Sequence, residues 1–191
     1  MGFPMRVLRP RARVLAVLAA ACALALVAAP AALAAQACPS ASAHPAQVGQ
    51  RVMVRATLCL LNAERATHGL RPLSLDRRLS KAAGGHADDM ARHNYFSHDS
   101  PNGGTFVDRI RRVGYLRGAK RWAVGENIAW GSRNRATPRS IIEAWMESSG
   151  HRANILSGSY REIGIGVARG APVAGGAESA ATYATDFGMR R

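Results

Sequence analysis

The sequence predicts an α+β layered domain, with helices first and an antiparallel pair of strands last. Between residues 52 and 156, apolar side chains recur mainly at three- and four-residue steps. Beyond that stretch, Ile163, Ile165 and Val167, then Tyr183, Thr185 and Phe187, alternate with small residues at a period of two. The size agrees with one ordinary core: 191 residues, 48% hydrophobic, with 3 Cys, exclude both a disordered tail and a cysteine-dense framework.

The N-terminal segment lies outside that core. Arg6, Arg9, Arg11 and Arg13 precede a wholly apolar run from Val14 to Ala29, which Pro30 breaks. Ala32-Leu33-Ala34 and Ala35-Gln36-Ala37 then offer small-x-small cleavage geometry, so residues 1–34 read as a signal peptide cut near 34 to 37. The alternative is an uncleaved membrane anchor, since about 20 apolar residues just span a bilayer. In both cases the remainder lies outside the cell, with no transmembrane span left after cleavage. A lipid anchor on Cys38 is disfavoured, because Ala35 stands where such sites carry a large aliphatic residue. Cys22 leaves with the signal. Cys38 and Cys59 then remain in an oxidising compartment, which predicts one disulfide tying the N-terminal arm to the first helix and contributing roughly 3 kcal/mol.

Residues 35–50, rich in Ala, Pro, Ser and Gln, have neither period and read as an extended arm ahead of the domain at 51–191. Val54, Leu58, Leu61 and Arg65 mark a helix over Val52 to His68 that Gly69 stops, and Arg71-Pro72-Leu73 is a connector. Asp76 caps a second helix, with Leu79, Ala83, His86 and Met90 on one side as far as Tyr95-Phe96. Ser97 to Gly104 is a loop. Thr105 and Asp108 form the signature of a helix N-terminus, and Phe106, Ile110 and Val113 give that helix its buried side. Val124 to Trp130 is a short extended segment carrying Glu126. Thr137-Pro138 opens a helix to about Ser148 with Ile141, Ile142, Trp145 and Met146 inward, Gly150 ends it, and His151 to Leu156 adds a turn. Gly170 to Gly176 joins the last two strands as a long hairpin.

Nothing in the chain matches a serine-hydrolase elbow, His-Glu-x-x-His, a phosphate loop or a dinucleotide fingerprint, so no organic cofactor is expected. What remains is a scattered set: His86, His93, His98 and His151 with Glu126, Glu143 and Glu147. Two imidazoles and a carboxylate suit Zn(II) or another divalent cation with a position open for water, but spacing alone does not choose among them. His86, between Leu79 and Met90, reads as a hydrogen-bonded packing residue. Trp122, Trp130 and Trp145 read as core or cleft walls, Asn154 as a local hydrogen bonder, and Ser148 and Ser149 as caps rather than nucleophiles.

Several motifs occur in a telling order: Leu61-Asn62-Ala63-Glu64-Arg65, Tyr95-Phe96-Ser97-His98, Gly125-Glu126-Asn127-Ile128-Ala129, Trp145 through Leu156, and Ile163-Gly164-Ile165-Gly166. Together they resemble the CAP superfamily of cysteine-rich secretory proteins, antigen 5 and pathogenesis-related-1 proteins, in its secreted bacterial SCP-like branch, over residues 54 to 188. The resemblance implies a three-layer α-β-α sandwich with a central antiparallel sheet. It also implies a cleft where His98, Glu126 and His151 converge, with His98 and His151 the positions that hold a divalent metal. One departure matters: the second family glutamate falls at Ser148, while Glu147 comes one residue early and is turned about 100° around the helix.

Two functions follow. The missing glutamate favours a non-enzymatic extracellular binding module whose ligand is a cell-envelope polymer, a lipid or a protein. A zinc-dependent extracellular hydrolase using the same cleft, with Glu126 as base, is the alternative. Nucleic acid is excluded as a partner, since no recognition motif accompanies the charge. Removing the four leader arginines takes that charge from +14 to +10. Arg109, Arg111, Arg112, Arg117, Lys120 and Arg121 cluster beside Asp108 as a solvated basic face, whose functional counterpart would be an anionic envelope polymer or headgroup.

Overall fold

A computed structural model describes residues 38–191. The signal peptide, its cleavage site and Cys22 lie outside the described residues. Helices α1 (Gln50–Thr67), α2 (Arg77–His93), α3 (Phe106–Arg112), α4 (Pro138–Glu147) and α5 (Ser149–Ile155) surround strands β1 (Ser74–Leu75), β2 (Trp122–Ser132), β3 (Glu162–Arg169) and β4 (Ala180–Arg190).

Capping chemistry sets most helix starts. Asp76 accepts from the Arg78 and Leu79 amides, Thr105 and Asp108 close a reciprocal capping box, and Thr137 accepts from Ser140 ahead of Pro138. α4 stops at Glu147, within a residue of the end expected near Ser148, while Gly150, read as the stop, lies inside α5. Ser148 occupies the N-cap position of α5, but its hydroxyl makes no capping bond, contrary to the role expected of it.

The sheet order is β1-β3-β4-β2. Its three long strands are antiparallel, as expected, and β2 pairs with β4 from Trp122↔Arg190 to Ser132↔Ala180. The two-residue edge strand β1 adds in parallel to β3, which the connector gave no sign of. Its hydrogen bonds depend on tertiary placement, Ser74 donating to the Arg161 carbonyl and Asp76 to that of Ile163.

Side-chain alternation along β3 and β4 separates two cores. On one face Ile163, Ile165, Val167, Tyr183 and Phe187 pack with Met53, Leu60 and Leu61 of α1 and Ile141, Ile142 and Trp145 of α4. On the other, Ala168, Ala184 and Ile128 meet Ala83, Ala87 and Met90 of α2, continued by Leu79, Ala82, Ile110 and Tyr115. The result is an α-β-α sandwich. Gly164 and Gly166 let α2 approach closely, because a Cβ on either would overlap the backbone of Leu79 or Ala83.

Residues 38–49 form a series of turns held against the domain. Cys38 is bonded to Cys59 of α1, as the thiol count predicted. The Ala41 carbonyl accepts from the Arg139 amide at 2.8 Å, and Arg169 reaches the Val48 carbonyl at 3.4 Å.

Candidate functional site

β2 is a sheet edge, and the expected site residues gather around it. Glu126 projects to the α2 face with a fully buried side chain. His98, in the loop after α2, donates from Nδ1 to Glu126 Oε1 at 2.9 Å, and Arg109 of α3 donates from Nη2 to Oε2 at 2.7 Å. His151 comes from α5 on the opposite face. Its ring lies 6.3 Å from that of Trp145, and its carbonyl accepts from Asn127 at 3.0 Å. His98 and His151 are close enough that charge on His98 disfavours charge on His151.

The outward carbonyls of β2 are covered from the His151 side. Asn154 donates to the Glu126 carbonyl at 3.2 Å and to Asn127 Oδ1 at 2.8 Å, and Trp145 Nε1 donates to the Ile128 carbonyl at 3.1 Å. The Trp145-through-Leu156 motif thus closes an edge that would otherwise recruit another strand. Trp122 and Trp130, expected in core or cleft walls, are instead exposed at the two ends of β2. Glu143 and Glu147 face solvent on α4, away from Glu126.

Burial alone would raise the Glu126 carboxyl, but the His98 hydrogen bond and the Arg109 charge outweigh it and hold the group below its ordinary value. The same hydrogen bond raises the His98 imidazole against its partial burial. His151 is lowered, chiefly by burial and then by His98. His86 is 1% exposed, bonded through Nε2 to the Ser97 carbonyl at 2.9 Å and lowered by burial, as suits a packing residue. His93 sits on the surface against Asp89.

Two site residues escaped the sequence. Arg109 belongs to the basic run, yet its side chain is only 9% exposed and it also donates to the His98 carbonyl at 2.8 Å. Asp186 pairs with Glu126 across β2 and β4 and is wholly buried, and the Glu126 carboxylate is the one group its carboxyl is placed to hydrogen-bond. Burial and then the Glu126 charge push its carboxyl well above the ordinary value. The available signal was β4 itself: on the face carrying Thr182, Ala184 and Gly188, Asp186 is the single acid. Arg109 and His86 also line a cleft of about 670 Å³ between α2, the Ser100–Asn102 turn and α3.

Among the described residues no group of three His, Cys, Asp or Glu side chains is placed to hold a metal ion. With the Glu126 side chain wholly buried and turned to His98 and Arg109, the donor set does not fit a His₂Glu centre. It leaves two imidazoles, His98 with Nε2 free of the Glu126 bond, and His151.

An α-β-α sandwich whose edge strand carries a buried glutamate between histidines from opposite faces defines a recognisable class of small domain. The cysteine-rich secretory protein family, CAP, matches residues 58–177, and the chain belongs to it. Two Bacillus subtilis proteins are similar: the uncharacterized protein YkwD, 43% identical over 107 residues, covering 56% of this chain and 39% of that protein, and the uncharacterized membrane protein YlbC, 36% identical over 120 residues, covering 63% and 33%. The chain therefore spans about two fifths or less of these relatives' lengths. An extracellular SCP-domain protein of Bacillus anthracis superposes with a TM-score of 0.58 at 31% identity, covering 74% of this chain and 41% of that one. An outer surface protein of Borrelia burgdorferi shares the fold with a TM-score of 0.55 at 20% identity, covering 69% and 87%.

Proposed function

We propose that the chain is an extracellular binding module of the CAP family, not an enzyme, whose His98, Glu126 and His151 cleft is able to hold a divalent metal through the two histidines. One observation carries this reading: the Glu126 side chain is wholly buried, with its oxygens turned to His98 and Arg109, so neither oxygen faces solvent, where an attacking water would have to give up its proton. The role left for Glu126 is to orient His98, presenting Nε2 outward, as a carboxylate behind a ligating imidazole does. His151, held toward its neutral form, is suited to the same ligand. The leader-like residues 1–37, the Cys38–Cys59 disulfide and the extracellular or surface description of similar bacterial proteins support export.

A carboxylate-oriented imidazole is also how a water-activating zinc site is built, which keeps the hydrolase reading as the second one. The test is a melting assay of metal-free protein with and without Zn(II). Saturating metal is expected to raise Tm, by an amount equivalent to about 2.7 kcal/mol at a hundredfold excess over Kd, and His98→Ala or His151→Ala to abolish the shift. No shift at saturating zinc overturns the metal site. Zinc-dependent turnover of a generic ester or amide, lost in His98→Ala, would favour the hydrolase instead.

A further inference from the structure

We propose that the chain carries a second interaction site, sharing no residue with the His98 cleft: an arginine groove that binds an unbranched anionic chain bearing phosphate or carboxylate groups. The groove has a volume of about 820 Å³. Arg71 from the connector after α1, Arg117 from the loop after α3, Arg161 ahead of β3, and Arg190 and Arg191 at the end of β4 all line it, against the single acid Glu162.

That acid is already occupied. Glu162 Oε2 accepts the Tyr115 hydroxyl at 2.6 Å and lies 3.9 Å from Arg190 Nε. Two of the guanidiniums are fixed: Arg190 stacks 4.8 Å from the Tyr115 ring centroid and donates to the Tyr115 carbonyl, and Arg161 donates to the Tyr160 carbonyl at 2.7 Å. Arg71, Arg117 and Arg191 are exposed, and none has a side-chain hydrogen bond or ion pair within the described residues. Backbone pairing of Arg191 with Lys120 and Arg121 brings two further cations alongside. Five guanidiniums around one concavity repel one another, and Glu162 is the single acidic side chain in the lining to offset them.

Guanidinium forks match phosphate and carboxylate oxygens in paired hydrogen bonds. The concave shape suits a chain rather than a flat headgroup surface. The lining holds no aromatic ring on which a base could stack, which disfavours single-stranded nucleic acid.

The test titrates the purified chain with inorganic polyphosphate and with poly-glutamate at low salt, alongside oligothymidylate and phosphatidylglycerol vesicles. Binding of either of the first two is expected, the responding polymer assigning phosphate or carboxylate, with affinity falling roughly tenfold or more between about 50 and 200 mM salt. The triple variant Arg71→Ser, Arg117→Ser, Arg191→Ser, all at exposed positions, is expected to keep its Tm, bind about tenfold more weakly and show less than half the salt slope. His98→Ala is expected to leave binding unchanged, which separates this site from the cleft. No polymer binding at low salt, undiminished binding by the triple variant, or tighter binding of vesicles or oligothymidylate overturns the proposal.

Discussion

Glu126 is the only acid at the cleft with charged partners on both oxygens, and it lies beside a second carboxyl that has only Glu126 itself to bond. Two adjacent buried carboxyls cannot both ionise cheaply, so the environment drives them apart: His98 and Arg109 lower the Glu126 carboxyl, while burial and the Glu126 charge raise that of Asp186 toward its protonated form. The sign of the stability effect follows. A folded-state value above the ordinary 3.8 means the native state holds its proton more tightly, so Asp186 costs little near pH 4 and increasingly more as pH rises toward the folded value. Asp186→Asn, which is neutral at every pH and similar in shape, is therefore expected to raise Tm at pH 7, with the gain shrinking as pH falls toward 4. A variant less stable than the parent at pH 7 would show that the ionised or protonated carboxyl has an essential partner. Of this cluster, His98, Glu126 and His151 were legible because motifs mark them. Arg109 was hidden in a run of like charges, and Asp186 could be found only by asking which strand face it shares.

At the scale of elements, the most demanding contact is α2 against β3. Gly164 and Gly166 leave the β3 surface bare where the helix backbone crosses it, and the atoms a Cβ would meet at Gly164 belong to the Leu79 and Ser80 main chain, which cannot rotate away. Gly164→Ala is expected to cost about 1–3 kcal/mol or more, measured as a lowered midpoint in urea. Gly85→Ala is the matched control: it lies in the same α2 with nothing within 4 Å of an added Cβ, and should stabilise by about 0.5–1 kcal/mol. Equal effects at the two positions would remove the packing explanation. Helix starts were legible because Asp76, Thr105 with Asp108, and Thr137 with Pro138 announce themselves through local capping. β1 was not, since a two-residue strand is defined by its partner. The placing of Asn62 and Arg65 on one side of α1 has an equally tertiary meaning: Asn62 bonds both backbone groups of Leu73, and Arg65 reaches the carbonyls of Arg71, Ile155 and Ser157. One helix face thereby fixes the start of the connector and the end of α5.

Across the whole molecule, amphipathic periodicity gave each helix an inner side but not the sheet face it covers, because α1 and α2 each carry an apolar stripe. The layer order followed from the family resemblance, and the physical choice is made by β3, whose glycine face admits α2 and whose Ile163, Ile165 and Val167 face takes α1. The basic run is likewise divided by the fold: Arg109 enters the cleft, Arg111 lies 5.8 Å over Trp122, and Arg117 joins the groove. The N-terminal turns depend on a global constraint of a different kind. Residues 38–49 form no regular element and touch α4 and β3 through a few bonds, so the link from Cys38 to Cys59, 21 residues apart, is what limits their freedom before folding. Loop closure of that length contributes about 3 kcal/mol. Reduction, or paired Cys38→Ser and Cys59→Ser substitution, should lower Tm by roughly 6–12 °C for a domain of this size. Because only a few bonds hold residues 38–49 to α4 and β3 once the link is gone, amide exchange should rise first over that segment and only later in α1. Uniform acceleration across α1, α4 and β3 would instead mean that the link holds the α1 layer itself in place.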